Sequence, residues 1–311
     1  MKQRPSVQAP SAVVMVRPHR FHPNPETAAD NAYQRSGTPG EDHSARARAE
    51  FDAAVRLLEG AGVRVHVFDD HSNAETPDSV FPNNWFSTHP GGHVAIYPMY
   101  ATSRRRERRS DVIEMLKSEY RVQGVIDYSG MEWDGLYLEG TGAMVLDHVD
   151  RVAYVARSNR ADPIVLERFC THFGFEPLAF DTADHDGRPI YHTNVMLSIG
   201  TAYALIGLDL ISDPGRRAEI RDRLAATGRE VIELSGGQIG EFAGNAIELS
   251  GNGERVLALS TRAAASLRPE QVEAIERSAR LLPIPVPTIE LAGGSVRCMV
   301  AGVHLTPRAA R

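Results

Sequence analysis

Gly293-Gly294-Ser295-Val296-Arg297-Cys298-Met299 opens like the start of a folding unit, a glycine-rich turn leading into an apolar stretch that ends at Leu305. Few residues follow in which to complete that unit. The matching remainder lies at the other end of the sequence. There, residues 12–16 read as an apolar strand, 45–58 as an amphipathic helix and 63–68 as a second strand. A unit divided in this way predicts a closed ring whose terminal strands pair side by side, hiding edges that would otherwise be exposed.

Four undivided units stand between, with a period of roughly 50–55 residues. Each opens on a polar motif and continues as strand, strand, helix, strand. The openings are Phe81-Pro82-Asn83-Asn84-Trp85-Phe86, Glu139-Gly140-Thr141-Gly142, His192-Thr193-Asn194 and Phe242-Ala243-Gly244-Asn245. Helices are expected over residues 105–119, 163–173, 214–226 and 269–281, and closing strands over 123–128, 176–180, 230–234 and 286–289. The expected fold class is α/β, a five-bladed α/β propeller of ββαβ repeats. It forms a single domain over residues 12–311, behind a disordered lead-in at 1–11. The long polar stretch 19–44 reads as a lid, with Phe21, Asn24, Asn31 and Gln34 as pocket contacts.

Equivalent points of a ring converge on its axis, so the openings bring Asn83, Asn84, Glu139, His192, Asn245 and Cys298 together. A cysteine by itself is as readily a small core hydrophobe. A thiol at the same phase as a histidine and a carboxylate instead suggests a nucleophile with its base and orienting group. Arg297, in a segment read as extended, is expected to point away from the Cys298 side.

Composition narrows the class. With 311 residues, a formal charge of -6 and 42% apolar residues, the chain reads as a soluble globular protein and not a nucleic-acid binder. Two distant cysteines make no disulfide framework, which points to the cytoplasm. No apolar run suggests a membrane span or a signal peptide. The histidines form no complete metal-ligand set and no phosphate loop precedes a helix, so no metal and no cofactor are expected. Arg104 to Arg109 read mainly as a solvated first helical turn, with one or two arginines free to meet a carboxylate. Helices on the outside of a ring leave room for a homodimer.

Together with Val14-Met15-Val16-Arg17-Pro18, these motifs resemble the guanidino-group-modifying enzymes in order and spacing, from about residue 13 to residue 305. That group includes arginine deiminases, dimethylarginine hydrolases, succinylarginine dihydrolase and glycine amidinotransferases; the citrulline-utilisation hydrolases are the nearer match. The resemblance implies Cys298 as nucleophile, His192 as general acid and base, and Glu139 as the residue that holds His192 or a substrate nitrogen. It implies a small ureido or guanidino amino acid as substrate, bound by Asn83, Asn84, Asn194, Asn245 and Arg17. The substrate carboxylate would fall to Arg160 of Ser158-Asn159-Arg160 or Arg104 of Ser103-Arg104-Arg105.

The chain departs from the dimethylarginine hydrolases at three positions. Asn83 and Asn84 stand where those enzymes carry an acidic pair, and Gly142 where they carry an acid. A buried guanidinium needs carboxylates, whereas a neutral ureido group needs mixed donors and acceptors. The reading is therefore citrulline to ornithine, unless Glu26 or Asp30 restores the charge. Its rivals are arginine deiminase or dimethylarginine-type hydrolysis, amidino transfer, and a catalytically silent propeller that binds a partner.

Overall fold

The computed structural model describes residues 7–37, 40–71 and 75–309. Residues 1–6 of the expected lead-in and 38–39 of the expected lid lie outside them. β1 (Ala12–Arg17) is followed by the helix His43–Gly60 and by β2 (Arg64–Asp69), which lies parallel to β1. Next come β3 (Phe86–His89), β4 (His93–Ile96) and β5 (Gly124–Asp127), then β6 (Met144–Asp147), β7 (Val152–Ala156) and β8 (Glu176–Phe180). β9 (Leu197–Ile199), β10 (Tyr203–Ile206) and β11 (Glu230–Glu233) form the next set, and β12 (Ile247–Gly251), β13 (Glu254–Ser260) and β14 (Arg280–Ile284) the one after. β15 (Ala301–Gly302) pairs antiparallel with β1, Val13 opposite Gly302.

The result is five three-stranded sheets. In each, the first two strands are antiparallel and the third returns parallel to the second after a helical crossover. The divided sheet β15-β1-β2 obeys the same rule, so the two ends of the sequence do share a unit. Each second strand is central and covered on both faces, which is why β7 and β10 are unbroken apolar runs and not alternating ones. Two of the crossover helices, Pro163–Phe173 and Pro214–Ala225, begin where the chain supplies both a cap and a proline. Asp162 accepts from the amides of Ile164 and Val165, Asp213 from that of Arg216, and Pro163 and Pro214 follow at the first helical positions.

Four expectations are corrected here. The helix placed at 105–119 is two helices, Thr102–Arg105 and Ser110–Glu119, because Arg104 and Glu107 turn inward and Arg109 is extended. The helix placed at 269–281 stops at Glu276, and the closing strand is Arg280–Ile284 and not 286–289. Pro283 hides that strand from a sequence reading but is tolerated there because β14 is an edge. Residues 8–10 of the supposed disordered lead-in are buried. Gln8 Nε2 donates to the carbonyls of Leu146 (3.0 Å) and Ile199 (3.1 Å), and its Oε1 accepts from the His148 amide (2.9 Å), tying two sheets together. Finally, Cys298 is not on a strand. Its amide donates to the Ser295 carbonyl at 3.0 Å and that of Met299 to Val296 at 3.2 Å, so it lies in a tight turn before β15.

Candidate active site

The site residues all sit at the same place in their units, in or beside a short turn that precedes the first strand. Asn83 and Asn84 lie in the turn Pro82–Asn84, Glu139 precedes Gly140–Ala143, and His192 precedes Thr193–Val195. Asn245 follows a turn in which Phe242 adopts φ +62, a left-handed conformation rare for an aromatic residue. Cys298 occupies the fifth turn.

His192 Nε2 bonds Glu139 Oε2 at 2.8 Å, and Glu139 Oε1 accepts from the Tyr100 amide at 3.0 Å. Two side-chain amides point at the sulfur: Asn194 Nδ2 lies 3.3 Å and Asn245 Nδ2 3.2 Å from Cys298 Sγ. No hydrogen bond links Cys298 to His192. Instead both line one small cavity of about 10 Å³, with Asp78, Asn84, Arg104 and Arg160 also on its wall. That space holds about one water. Thr27 and Asn31, from the stretch read as a lid, complete it. Phe21, Asn24 and Gln34 sit behind this wall. Phe21 is buried in the core, Asn24 bonds Asp78 and Ser103, and Gln34 bonds the Asn24 carbonyl.

Both candidate carboxylate-binding arginines are buried here, and both are already occupied. Arg160 makes a forked pair with Asp30 (Nε to Oδ2 2.9 Å, Nη2 to Oδ1 2.5 Å), reaches Glu139 Oε2 at 3.3 Å and lies over the Tyr191 ring. Arg104 forks onto Glu107 at 2.9 and 3.0 Å, with Asp78 at 3.7 Å. The hydrogen-bond network turns the Asn84 oxygen towards Arg104 Nη1 and Nη2 (2.9 and 3.0 Å) and its nitrogen towards Asn83 Oδ1 (3.2 Å). Asn83 is thus brought to the site as support for Asn84, not as part of the wall. Arg17 is not brought there at all. It is partly exposed, pairs with Asp52 (2.8 Å) and Asp69 (2.5 Å), and covers Phe51, because the last residue of β1 lies at the far edge of its own unit's helix.

The electrostatics follow from burial and this crowding. Burial alone would raise Glu139, but Arg160, His192 and Arg104 outweigh it and hold the carboxyl well below its usual range. Burial dominates at His192, bringing it down to about 4 against the pull of Glu139, so the imidazole is neutral at pH 7. Burial also raises Asp78, and raises Glu107 to about 8 despite Arg104.

Two glycines are fixed by the site. A Cβ at Gly142 would stand 2.1 Å from the Asn84 amide and 2.8 Å from His192 Nδ1, so no side chain fits there. Gly293 has φ +78 and would strike the Asn31 amide at 2.4 Å; its carbonyl accepts from the Tyr191 hydroxyl. Sequence reading missed Asp78, Glu107, Thr27 and Tyr191. Asp78 lies three residues before the Phe81 motif, outside the repeated phase, so only its acidity marked it. Outside the pocket, Asp184, His185 and Asp186 place ligand atoms within 4.8 Å of one another at largely exposed positions.

Five ββαβ units that gather a thiol and an imidazole–carboxylate pair at their openings, beside two arginines carried after second strands, are the arrangement of guanidino-group-modifying enzymes, and the chain belongs to that superfamily. Within it, residues 17–305 match the family described as N,N dimethylarginine dimethylhydrolase, eukaryotic. Three solved structures share the fold. The N-terminal domain of ArgZ, an arginine dihydrolase of cyanobacteria solved as a cysteine-to-serine mutant bound to substrate, has a TM-score of 0.73 at 16% identity, over 94% of this chain and 97% of that one. Unliganded AgrE has a TM-score of 0.74 at 16% identity, over 96% of this chain and 40% of that one. The dimethylarginine hydrolase of Pseudomonas aeruginosa, a cysteine-to-serine mutant complexed with citrulline, has a TM-score of 0.64 at 15% identity, over 94% and 99%. No curated protein matches the chain significantly. Among the described residues no helix is long and apolar enough to cross a membrane.

Proposed function

We propose that this chain hydrolyses a C–N bond of a guanidino amino acid through a covalent adduct on Cys298. The observation that carries this reading is the shared cavity, in which Cys298, with its two amide donors, and the His192–Glu139 pair face a common space. Sγ attacks the central carbon of the substrate. The neutral His192 takes the thiol proton and delivers it to the leaving nitrogen as the C–N bond breaks. Water, deprotonated by His192, then adds to the carbon; the S–C bond breaks and the thiol is restored. Glu139 holds the imidazole and stabilises its protonated form. The cavity is too small for an amino acid, so residues 19–37 act as a lid that opens. We read the five sheets as the blades of a closed propeller, with β15 and β1 as its clasp.

The charge count favours a cationic substrate. Three carboxylates (Asp30, Asp78 and Glu139), with Glu107 as a fourth once it ionises at about 8, face two guanidinium groups (Arg104 and Arg160). Asp78 supplies the pocket carboxylate that Asn83, Asn84 and Gly142 lack, which moves the substrate towards arginine or a substituted arginine. The ureido reading, citrulline to ornithine, rests on the Asn84 amide in the same wall. The test is release of ammonia, amine, citrulline and ornithine from arginine, dimethylarginine, succinylarginine and citrulline, with Cys298→Ser as control. Turnover of arginine or a substituted arginine, lost in the variant, supports the cationic reading, and ornithine from citrulline alone supports the ureido one. Turnover unchanged by the substitution overturns the mechanism.

A further inference from the structure

Behind the catalytic turn, the first strands of all five sheets surround a second internal cavity of about 50 Å³. Arg297 lines it. The buried arginines Arg104, Arg160 and Arg229 each meet a carboxylate: Arg104 meets Glu107, Arg160 meets Asp30, and Arg229 meets Asp147 at 2.5 and 2.9 Å. Arg297, which is part-buried, does not. Among the described residues its guanidinium makes one hydrogen bond, from Nη1 to the Val300 carbonyl at 3.0 Å, and no ion pair. A desolvated cation in that position is costly unless something neutralises it.

The rest of the lining supplies donors and little negative charge. His148 Nδ1 is buried without a partner, and burial keeps both His148 and His304 neutral, so each imidazole offers one N–H. Glu248 is the acid on this wall. Its Oε2 is taken by the amide and hydroxyl of Thr201, and Arg255 stands 3.8 Å from its Oε1. Burial pushes Arg297 down to about 10, with Cys298 the only ionisable group opposing that shift.

We propose that a monovalent anion of halide size binds in this cavity against the Arg297 guanidinium. The volume takes such an ion with a water or two. Since Arg297 adjoins Cys298, the cation that holds the anion sits beside the candidate nucleophile, which links the cavity to the catalytic turn.

The probe is chloride, added to full-length protein exchanged into gluconate at constant ionic strength. The expected results are a saturable rise in melting temperature, ³⁵Cl line broadening that bromide reverses, and loss of both in Arg297→Met. Carboxamidomethylation of Cys298 by iodoacetamide should leave the broadening in place. This arm uses the wild-type chain and does not depend on the variant folding. Absence of saturable broadening and of a melting shift in the wild type would mean that the cavity holds water only and would overturn the proposal. Broadening abolished by alkylation would place the anion on Arg104 or Arg160 in the catalytic pocket, with the same consequence.

Discussion

The two cavities, one at the candidate catalytic end and one behind it, are built from the same set of repeated units and differ in how they handle charge. At the catalytic end the loops deliver two buried arginines and four acidic side chains in mutual contact. At the other end the turn before β15 delivers one arginine, Arg297, with no carboxylate partner among the described residues. Loops are free to bring acids to a cation. The first strands that make up the rest of the other wall point side chains inward at fixed intervals and cannot bend to meet Arg297. The catalytic end should therefore be sensitive in turnover, and the opposite end in stability.

That contrast can be broken or sharpened. Gly142→Ala should have the largest effect. Its methyl displaces Asn84 and His192, and kcat/KM should fall about 100-fold, since small misplacements cost that much. An unchanged kcat/KM would show that the crowding at this end is slack. Arg160→Lys removes the fork now held by Asp30; if Arg160 binds the substrate carboxylate, KM should rise about tenfold with kcat little changed. A fall in kcat with KM unchanged would instead assign Arg160 to the chemistry.

A pH series of KM comes next. Burial raises Glu107 to about 8, so it holds a proton at lower pH in the empty site, and an entering guanidinium favours loss of that proton. KM for a cationic substrate should fall several-fold as pH rises from 6 towards about 8, the value for Glu107. KM for citrulline should stay flat; equal slopes for both would remove the charge argument. Gln8→Ala, at the opposite end, should cost about 1–3 kcal/mol in urea unfolding while kcat stays within twofold. A drop in kcat would mean that the two ends are coupled through the strands. Arg17→Met should do least, with activity unchanged and stability lower by under about 1 kcal/mol, as for an exposed pair.

The sequence made the periodic part of the molecule legible. The ββαβ order, the proline-led helices at 163 and 214, and the division of the fifth unit all follow from apolar patterning that recurs at a fixed phase. Glu139, His192 and Cys298 could be singled out because they sit at that phase. Asp78 could not, because it belongs to the approach to a motif, and Tyr191 reads as another apolar residue. Arg17 was drawn in by its place in a shared motif, although the strand that carries it ends beside Asp52 and Asp69. The run 104–109 looked like a solvated helix start because composition does not show that Glu107 turns inward with Arg104. The pairing of Arg160 with Asp30 joins two aperiodic loops, which no pattern along the chain records.

The pairing of Val13 with Gly302 also governs when the enzyme can exist during its own synthesis. On the ribosome, four sheets can form in order as they emerge, each from neighbouring sequence. The fifth cannot, and β1 waits with one edge bare until residue 302 has been made. The turn that holds Cys298 immediately precedes that last strand. A nascent chain therefore carries the histidine, the acids and the arginines of the candidate site before it has Cys298, and the site is complete only once residues 298–302 have been made.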